Sequence, residues 1–199
     1  MGVPKSILTE DEYLRFEREA DERHIYMDGE IFAMAGESAN HADISSNVLV
    51  SIGNQLVDGP CRARTKDTKV RSGPLPKSPK RRAGLYSYPD VVVICDEPKY
   101  LDDCNDVLLN PKVIVEVLSE STEAFDRGSK FTRFQKYNPT LTDYILVSQD
   151  EAQIEHFHRE SDDTWTYQCH VGLKAVIKIG SIKCKLKAVD VYRRITFPA

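Results

Sequence analysis

The apolar positions along the chain change period several times, and each change marks an element. Thr9-Glu10-Asp11-Glu12 has the spacing of a capping box, in which the Thr9 hydroxyl accepts from the Glu12 N–H and the Glu12 carboxylate reaches back. It predicts a helix to about Ala20, with Tyr13, Leu14 and Phe16 as its apolar surface. Residues 24–34 read as a hairpin about Asp28-Gly29, because both residue types tolerate positive φ. Ile44, Val48, Leu49, Ile52, Leu56 and Val57 recur at helical spacing. They predict a second helix, capped by Ser38 or Asn40 and stopped at Asp58-Gly59-Pro60. Cys61 to Arg71 alternates and predicts one strand with a wet face, and residues 72–87, with three prolines and two glycines, predict a loop.

Two runs then lose alternation and become apolar throughout, as buried strands do: 89–95 and 112–118, separated by a polar, acidic loop from Asp96 to Asn110. Ser119, Ser121 and Thr122 offer caps for a helix over 122–137, which carries Phe125, Phe131, Phe134 and Tyr137 and ends before Pro139. Asp143–Val147 is a further buried strand. Residues 153–158, 165–170 and 175–179 read as short antiparallel strands, and 187–194 as a last short helix. The order predicts an α+β domain with a central mixed sheet flanked by helices and a β-rich C-terminal part.

Composition fits one domain. The chain has 199 residues, 41% hydrophobic and 29% charged, with a net charge of −4. The acidic balance excludes a surface coated for nucleic acid, so any phosphate contact is local; Lys77-Ser78-Pro79-Lys80-Arg81-Arg82 is one candidate, with a solvated loop as the plainer reading. No apolar run is long enough for a membrane helix, and the N-terminus has no signal-peptide core, so a cytoplasmic protein without membrane attachment is expected. The five cysteines form no CxxC pair and are odd in number, which predicts free thiols in a reducing compartment.

The candidate chemistry lies in the two buried runs. Asp90 opens the first, and Glu116 sits inside the second between Val115 and Val117. An ionised carboxylate in such a setting costs several kcal/mol unless a cation meets it. A metal ion is one such partner, and Lys130, on the helix that follows, is another. Two carboxylates on neighbouring strands suit a hard divalent ion, with the Val117 carbonyl as a third oxygen ligand. The competing readings are a solvated strand-start aspartate at 90 and a structural ion pair at 116.

The surrounding motifs resemble those of the Uma2 family, restriction-type endonucleases of the PD-(D/E)XK superfamily. The resemblance rests on Pro89-Asp90, on Val115-Glu116-Val117-Leu118-Ser119-Glu120-Ser121-Thr122, on Asp126, Lys130 and Tyr137, and on Asp143-Tyr144-Ile145-Leu146-Val147. Upstream, Asp28-Gly29-Glu30-Ile31 and Met34-Ala35-Gly36 followed by His41 match as well, so the likeness spans roughly residues 8–194. It implies a restriction-endonuclease-like fold, with a core over about 8–150 and a β-rich extension over about 151–194. It implies Asp90 and Glu116 as Mg²⁺ or Mn²⁺ ligands, and DNA as substrate. A homodimer would follow from double-strand cleavage. Leu118 stands where the superfamily pattern has a lysine; the resemblance implies that Lys130, 14 positions past Glu116, has taken that place. Glu120 stands where the family commonly has proline. Glu30 matches an additional acid near the metal, and His41, Ser119 and Tyr137 are supporting candidates, each with an ordinary structural alternative. The other functions open at this stage are a catalytically silent nuclease fold that binds nucleic acid or protein, and a metal hydrolase acting on a small phosphoester.

Overall fold

The computed structural model describes residues 7–75, 78 and 82–198. The first helix, α1 (Glu10–Glu19), starts at the Thr9–Glu12 capping box, both halves of which are formed. The hairpin strands β1 (His24–Met27) and β2 (Glu30–Ala33) meet at Asp28-Gly29, with φ of 52° and 106°. Helix α2 (Ala39–Leu56) is capped by the Ser38 side chain, which accepts from the His41 N–H.

The stretch predicted as one strand from Cys61 to Arg71 is two. β3 (Cys61–Thr65) and β4 (Lys69–Ser72) are separated by a turn in which the Thr68 N–H donates to the Thr65 carbonyl, and they belong to different sheets. The predicted loop over 72–87 contains β5 (Leu85–Ser87), and the acidic loop ends in β7 (Val107–Leu108), which follows β6 (Val91–Cys95). β8 (Val113–Val117) leads into α3 (Glu123–Phe125), a π-helical turn (Asp126–Lys130) and α4 (Phe131–Tyr137), where regular helix was expected. β9 (Asp143–Val147), β10 (Gln153–Arg159), β11 (Trp165–Val171), β12 (Val176–Ile179) and β13 (Cys184–Lys187) follow, and α5 (Ala188–Val191) is the last helix. The basic run at 77–82 lies outside the described residues apart from Ser78 and Arg82.

The central sheet has strand order β11-β10-β9-β8-β6-β3, so the first two strands of the β-rich tail extend it. β8 and β9 pair in parallel, joined by the α3–α4 crossover, while β6 runs antiparallel to β8. The second sheet, β2-β1-β5-β4-β7, covers one face of the first. Alternation decides which side each residue takes. Val113, Val115, Val117, Ile145 and Val147 face α2, β12–β13 and α5. Ile114, Leu118, Tyr144 and Leu146 face the α3–α4 helices and the second sheet. A third cluster, Tyr13, Leu14, Tyr26, Ile31, Tyr86 and Val107, seats α1 on the outside of the second sheet.

The cysteine expectation is corrected for two residues. Cys61 and Cys95 occupy the same rung of the antiparallel β3–β6 pair, Cα atoms 3.9 Å apart, and form a disulfide. Their separation of 34 residues hides a register that only the sheet defines. Cys104, Cys169 and Cys184 are free.

Asp106 fastens the acidic loop to α1. Arg18 Nη2 lies 2.8 Å from its Oδ1, and Lys69 Nζ lies 3.2 Å from its Oδ2. Burial alone would raise the Asp106 pKa; Arg18 and Lys69 outweigh it and hold the carboxyl below the ordinary value. A depressed carboxyl stabilises the fold above its unfolded pKa, near 3.9, and that contribution fades as pH falls through the folded value. Asp106→Asn is therefore expected to lower the urea midpoint at pH 6 and to differ less from the wild type at pH 3. Equal gaps at both pH values would show that the ion pair contributes nothing.

Candidate active site

Four carboxylates, one lysine and one histidine gather where β6 and β8 meet the helix crossover and the start of α2. Val91 and Val115 are partners in the β6–β8 ladder, so Asp90, one residue before the strand, adjoins Glu116. Asp90 is held from two sides: its Oδ2 accepts the Val117 N–H at 2.7 Å, and its Oδ1 lies 2.8 Å from His41 Nε2. His41 is on the first turn of α2, the turn that Ser38 caps. The Glu37 carboxylate stands 3.8 Å from the same ring nitrogen. Glu37, His41 and Asp90 thus bring three ligand atoms within 4.8 Å of one another. Burial works against a charged His41 imidazole, but Asp90 and Glu37 outweigh it, and its pKa sits above the ordinary value.

Glu116 points from β8 toward the crossover and is 3% exposed. Lys130 Nζ approaches its Oε1 to 2.7 Å and Asp126 Oδ1 to 2.9 Å, and both partners are as buried as Glu116. The Lys130 ammonium is thus shared between the Glu116 and Asp126 carboxylates. The π turn shapes this arrangement. It spans Asp126 to Lys130, is anchored by the Tyr144 hydroxyl donating to the Asp126 carbonyl at 2.9 Å, and carries both residues of the pair into the interior. Such turns interrupt α-helices and are frequent at functional sites.

The charges do not balance. One ammonium faces the carboxylates of Glu116 and Asp126, with that of Asp90 close by. Burial pushes the Glu116 carboxyl well up, and Asp126 and Asp90 add to the effect against the pull of Lys130. Burial alone would lower the Lys130 pKa, yet Asp126 and Glu116 push it above the ordinary lysine value. Glu116 holds its proton first because it is buried and then because Asp126 and Asp90 are near, whereas Lys130 holds its own because two carboxylates face it. A buried, all-oxygen donor set in which one ammonium serves two carboxylates fits a hard divalent ion.

The other sequence candidates fall in different places. Ser119 bonds Thr122 Oγ1 at 2.9 Å, and its carbonyl accepts the Thr122 and Glu123 N–H groups, so it starts the helix. Tyr137 is on the last turn of α4, with Lys136 over its ring. Glu30 is on the edge strand β2 of the second sheet, opposite Met27 and bridged to Ile7, and takes no part in the described hydrogen bonds and ion pairs at the cluster. The Val117 peptide is engaged through its N–H with Asp90. Glu37 was missed in the sequence; its i,i+4 spacing to His41 was the available signal.

Known proteins resemble this chain in sequence and in fold. Two relatives from Synechocystis sp. are described only as uncharacterized proteins. One, slr1290, is 36% identical over 199 residues, covering 98% of this chain and 97% of its own. The other, sll1609, is 33% identical over 177 residues, covering 89% and 95%. A solved structure described as a putative nuclease belonging to DUF820, from Anabaena variabilis, matches 95% of this chain and 99% of its own at a TM-score of 0.74 and 16% identity, a likeness of fold. The model of Uma2, described as "Putative restriction endonuclease", matches residues 10–177, and the chain belongs to that family.

Proposed function

We propose that the protein is a divalent-metal-dependent endonuclease acting on DNA. The observation that carries this reading is the buried Glu116 carboxylate, which adjoins Asp90 and shares one ammonium, that of Lys130, with Asp126. Family membership and the nuclease-like fold support it.

In this reading Asp90, Glu116 and the Val117 carbonyl hold Mg²⁺ or Mn²⁺. The ion supplies neutralisation of phosphate charge and a more acidic water. The chain's own groups do the positioning. His41 and the Val117 N–H fix the two Asp90 oxygens, which sets the carboxylate plane before any ligand arrives. Lys130 stays an ammonium; it donates hydrogen bonds to water and phosphate oxygens and neutralises charge, and does not take a proton. Asp126 holds the ammonium in place through the i,i+4 contact on the π turn. The reading gives no role to Glu30, Ser119 or Tyr137.

The test is cleavage of supercoiled plasmid with manganese, with magnesium and with excess chelator, the Asp90→Asn variant run beside the wild type. Cleavage by the wild type that needs the ion and is lost in the variant is the expected result. No cleavage by folded wild type with either ion would overturn the proposal. It would favour a silent binding fold, a role that Leu118 in place of the usual lysine suits.

A further inference from the structure

A second polar cluster lies on the other face of the central sheet, away from the candidate active site. His156 and His158 are two apart on β10, and so project from the same face. His158 pairs with Asp143 across the β9–β10 ladder. Asp143 takes the side of Ile145 and Val147, facing α2, whereas Glu116 takes the opposite side. His156 Nε2 stands 2.7 Å from Asp143 Oδ1, and His158 Nδ1 stands 2.8 Å from the same oxygen. The other oxygen, Oδ2, accepts from Thr142 Oγ1 at 2.8 Å and from Ser181 Oγ.

We infer that Asp143, His156 and His158 bind a divalent transition-metal ion of the zinc class, which clips β9 to β10 on the face carrying the β12–β13 unit. Two imidazole nitrogens and one carboxylate oxygen converge within 4.8 Å, a donor set that zinc accepts and magnesium does not favour. In a tetrahedral site with bonds of about 2.0–2.1 Å, ligand atoms stand about 3.3 Å apart, so the cluster opens by about half an ångström to admit the ion. The asymmetry of Asp143 suits this. Its Oδ2 is fixed by two hydroxyls, as ligating carboxylates commonly are by neighbouring donors, which leaves Oδ1 for the ion. Each ring binds as a neutral imidazole with its proton on the other nitrogen.

A third histidine stands near the cluster without joining it. His170, on β11 opposite Ile154, lies diagonally beside His156 on the same face. Its Nε2 is shut off from solvent and has no hydrogen-bond partner among the described residues. It stands outside the group of Asp143, His156 and His158, whose ligand atoms converge within 4.8 Å, so a water molecule would complete the tetrahedron. Ser181, on the turn between β12 and β13, connects the site to the C-terminal unit. The role assigned to the ion is a clip holding that unit.

The experiment uses the full chain carrying Asp90→Asn, so that the candidate nuclease site is disabled. Stripped of metal and titrated with cobalt(II), it is expected to bind one equivalent with the visible absorption of a tetrahedral ion, and zinc should displace the cobalt and raise Tm. His158→Gln, on the most exposed of the three ligands, should lower cobalt affinity at least tenfold in the same background. Because that variant alters a packed strand, X-ray absorption at the zinc edge of the Asp90→Asn protein is the second readout. Two imidazoles in the zinc shell are expected. A shell with one imidazole or none, tight binding unchanged by His158→Gln, or no binding at all would overturn the inference and leave a hydrogen-bonded cluster. Plasmid cleavage by the wild type is independent of these outcomes, so either reading can fail alone.

Discussion

Glu116→Gln is expected to lower manganese-dependent plasmid cleavage by at least about 100-fold while leaving the protein folded. Truncating a group that merely supports a metal ligand commonly costs 10–100-fold, and a ligand itself costs at least as much. Glutamine keeps the volume of the side chain in its apolar surroundings, so no cavity forms. It removes one of the two carboxylates that share the Lys130 ammonium, and Lys130 keeps Asp126 at 2.9 Å. Loss of activity without loss of stability separates a catalytic ligand from a structural half of an ion pair. If Glu116 only neutralised Lys130, the substitution would destabilise the fold and leave any cleavage intact. Cleavage within threefold of the wild type at saturating manganese would remove Glu116 from the mechanism.

The second large effect concerns stability, at the base of α1. Glu10 and Arg71 are each 2% exposed. Arg71 Nε donates to Glu10 Oε2 at 2.9 Å, and the Tyr86 hydroxyl donates to the same oxygen at 2.7 Å. Nη1 donates to the Gly73 carbonyl at 3.0 Å, and Nη2 donates to the Pro74 carbonyl at 2.7 Å while lying 2.8 Å from Glu10 Oε2. The pair therefore ties α1, β4, β5 and the start of the following loop to one point. Glu10→Ala leaves a buried guanidinium without its counter-charge, a change that costs about 3–5 kcal/mol. In a domain of this size that lowers Tm by on the order of 10 °C. Replacing both partners by apolar residues of similar volume, Glu10→Leu with Arg71→Met, should recover most of the loss, because the cost lies in the stranded charge more than in the lost attraction. A Glu10→Ala variant within 2 °C of the wild type would show that water or another group reaches Arg71.

The elements that depend on neighbours in sequence were readable without coordinates. The Thr9–Glu12 box, the Asp28-Gly29 turn and the Ser38 cap are each decided within a few residues, and all three are formed. The buried runs around 91–95 and 113–117 declared themselves by losing alternation. Lys130 could be paired with Asp126 from i,i+4 spacing alone. The elements that depend on partners far along the chain were not readable. Cys61–Arg71 looked continuous because both halves suit a strand; the turn at 65–68 is fixed by where β6 and β5 stand. β5 and β7 are short and take their hydrogen bonds from strands far along the chain, so local pattern gave them little signal.

By itself, then, the sequence determined the helices, the buried strands of the central sheet and the acidic residues that mark its chemistry, because propensity, capping and apolar period act over a few residues. The tertiary structure decided which groups meet: His41 at Asp90, Cys61 at Cys95, Glu10 at Arg71, and two histidines at Asp143. These contacts join residues 13 to 61 positions apart. Register, strand order and the π turn set them, and those quantities exist only once the sheets have assembled.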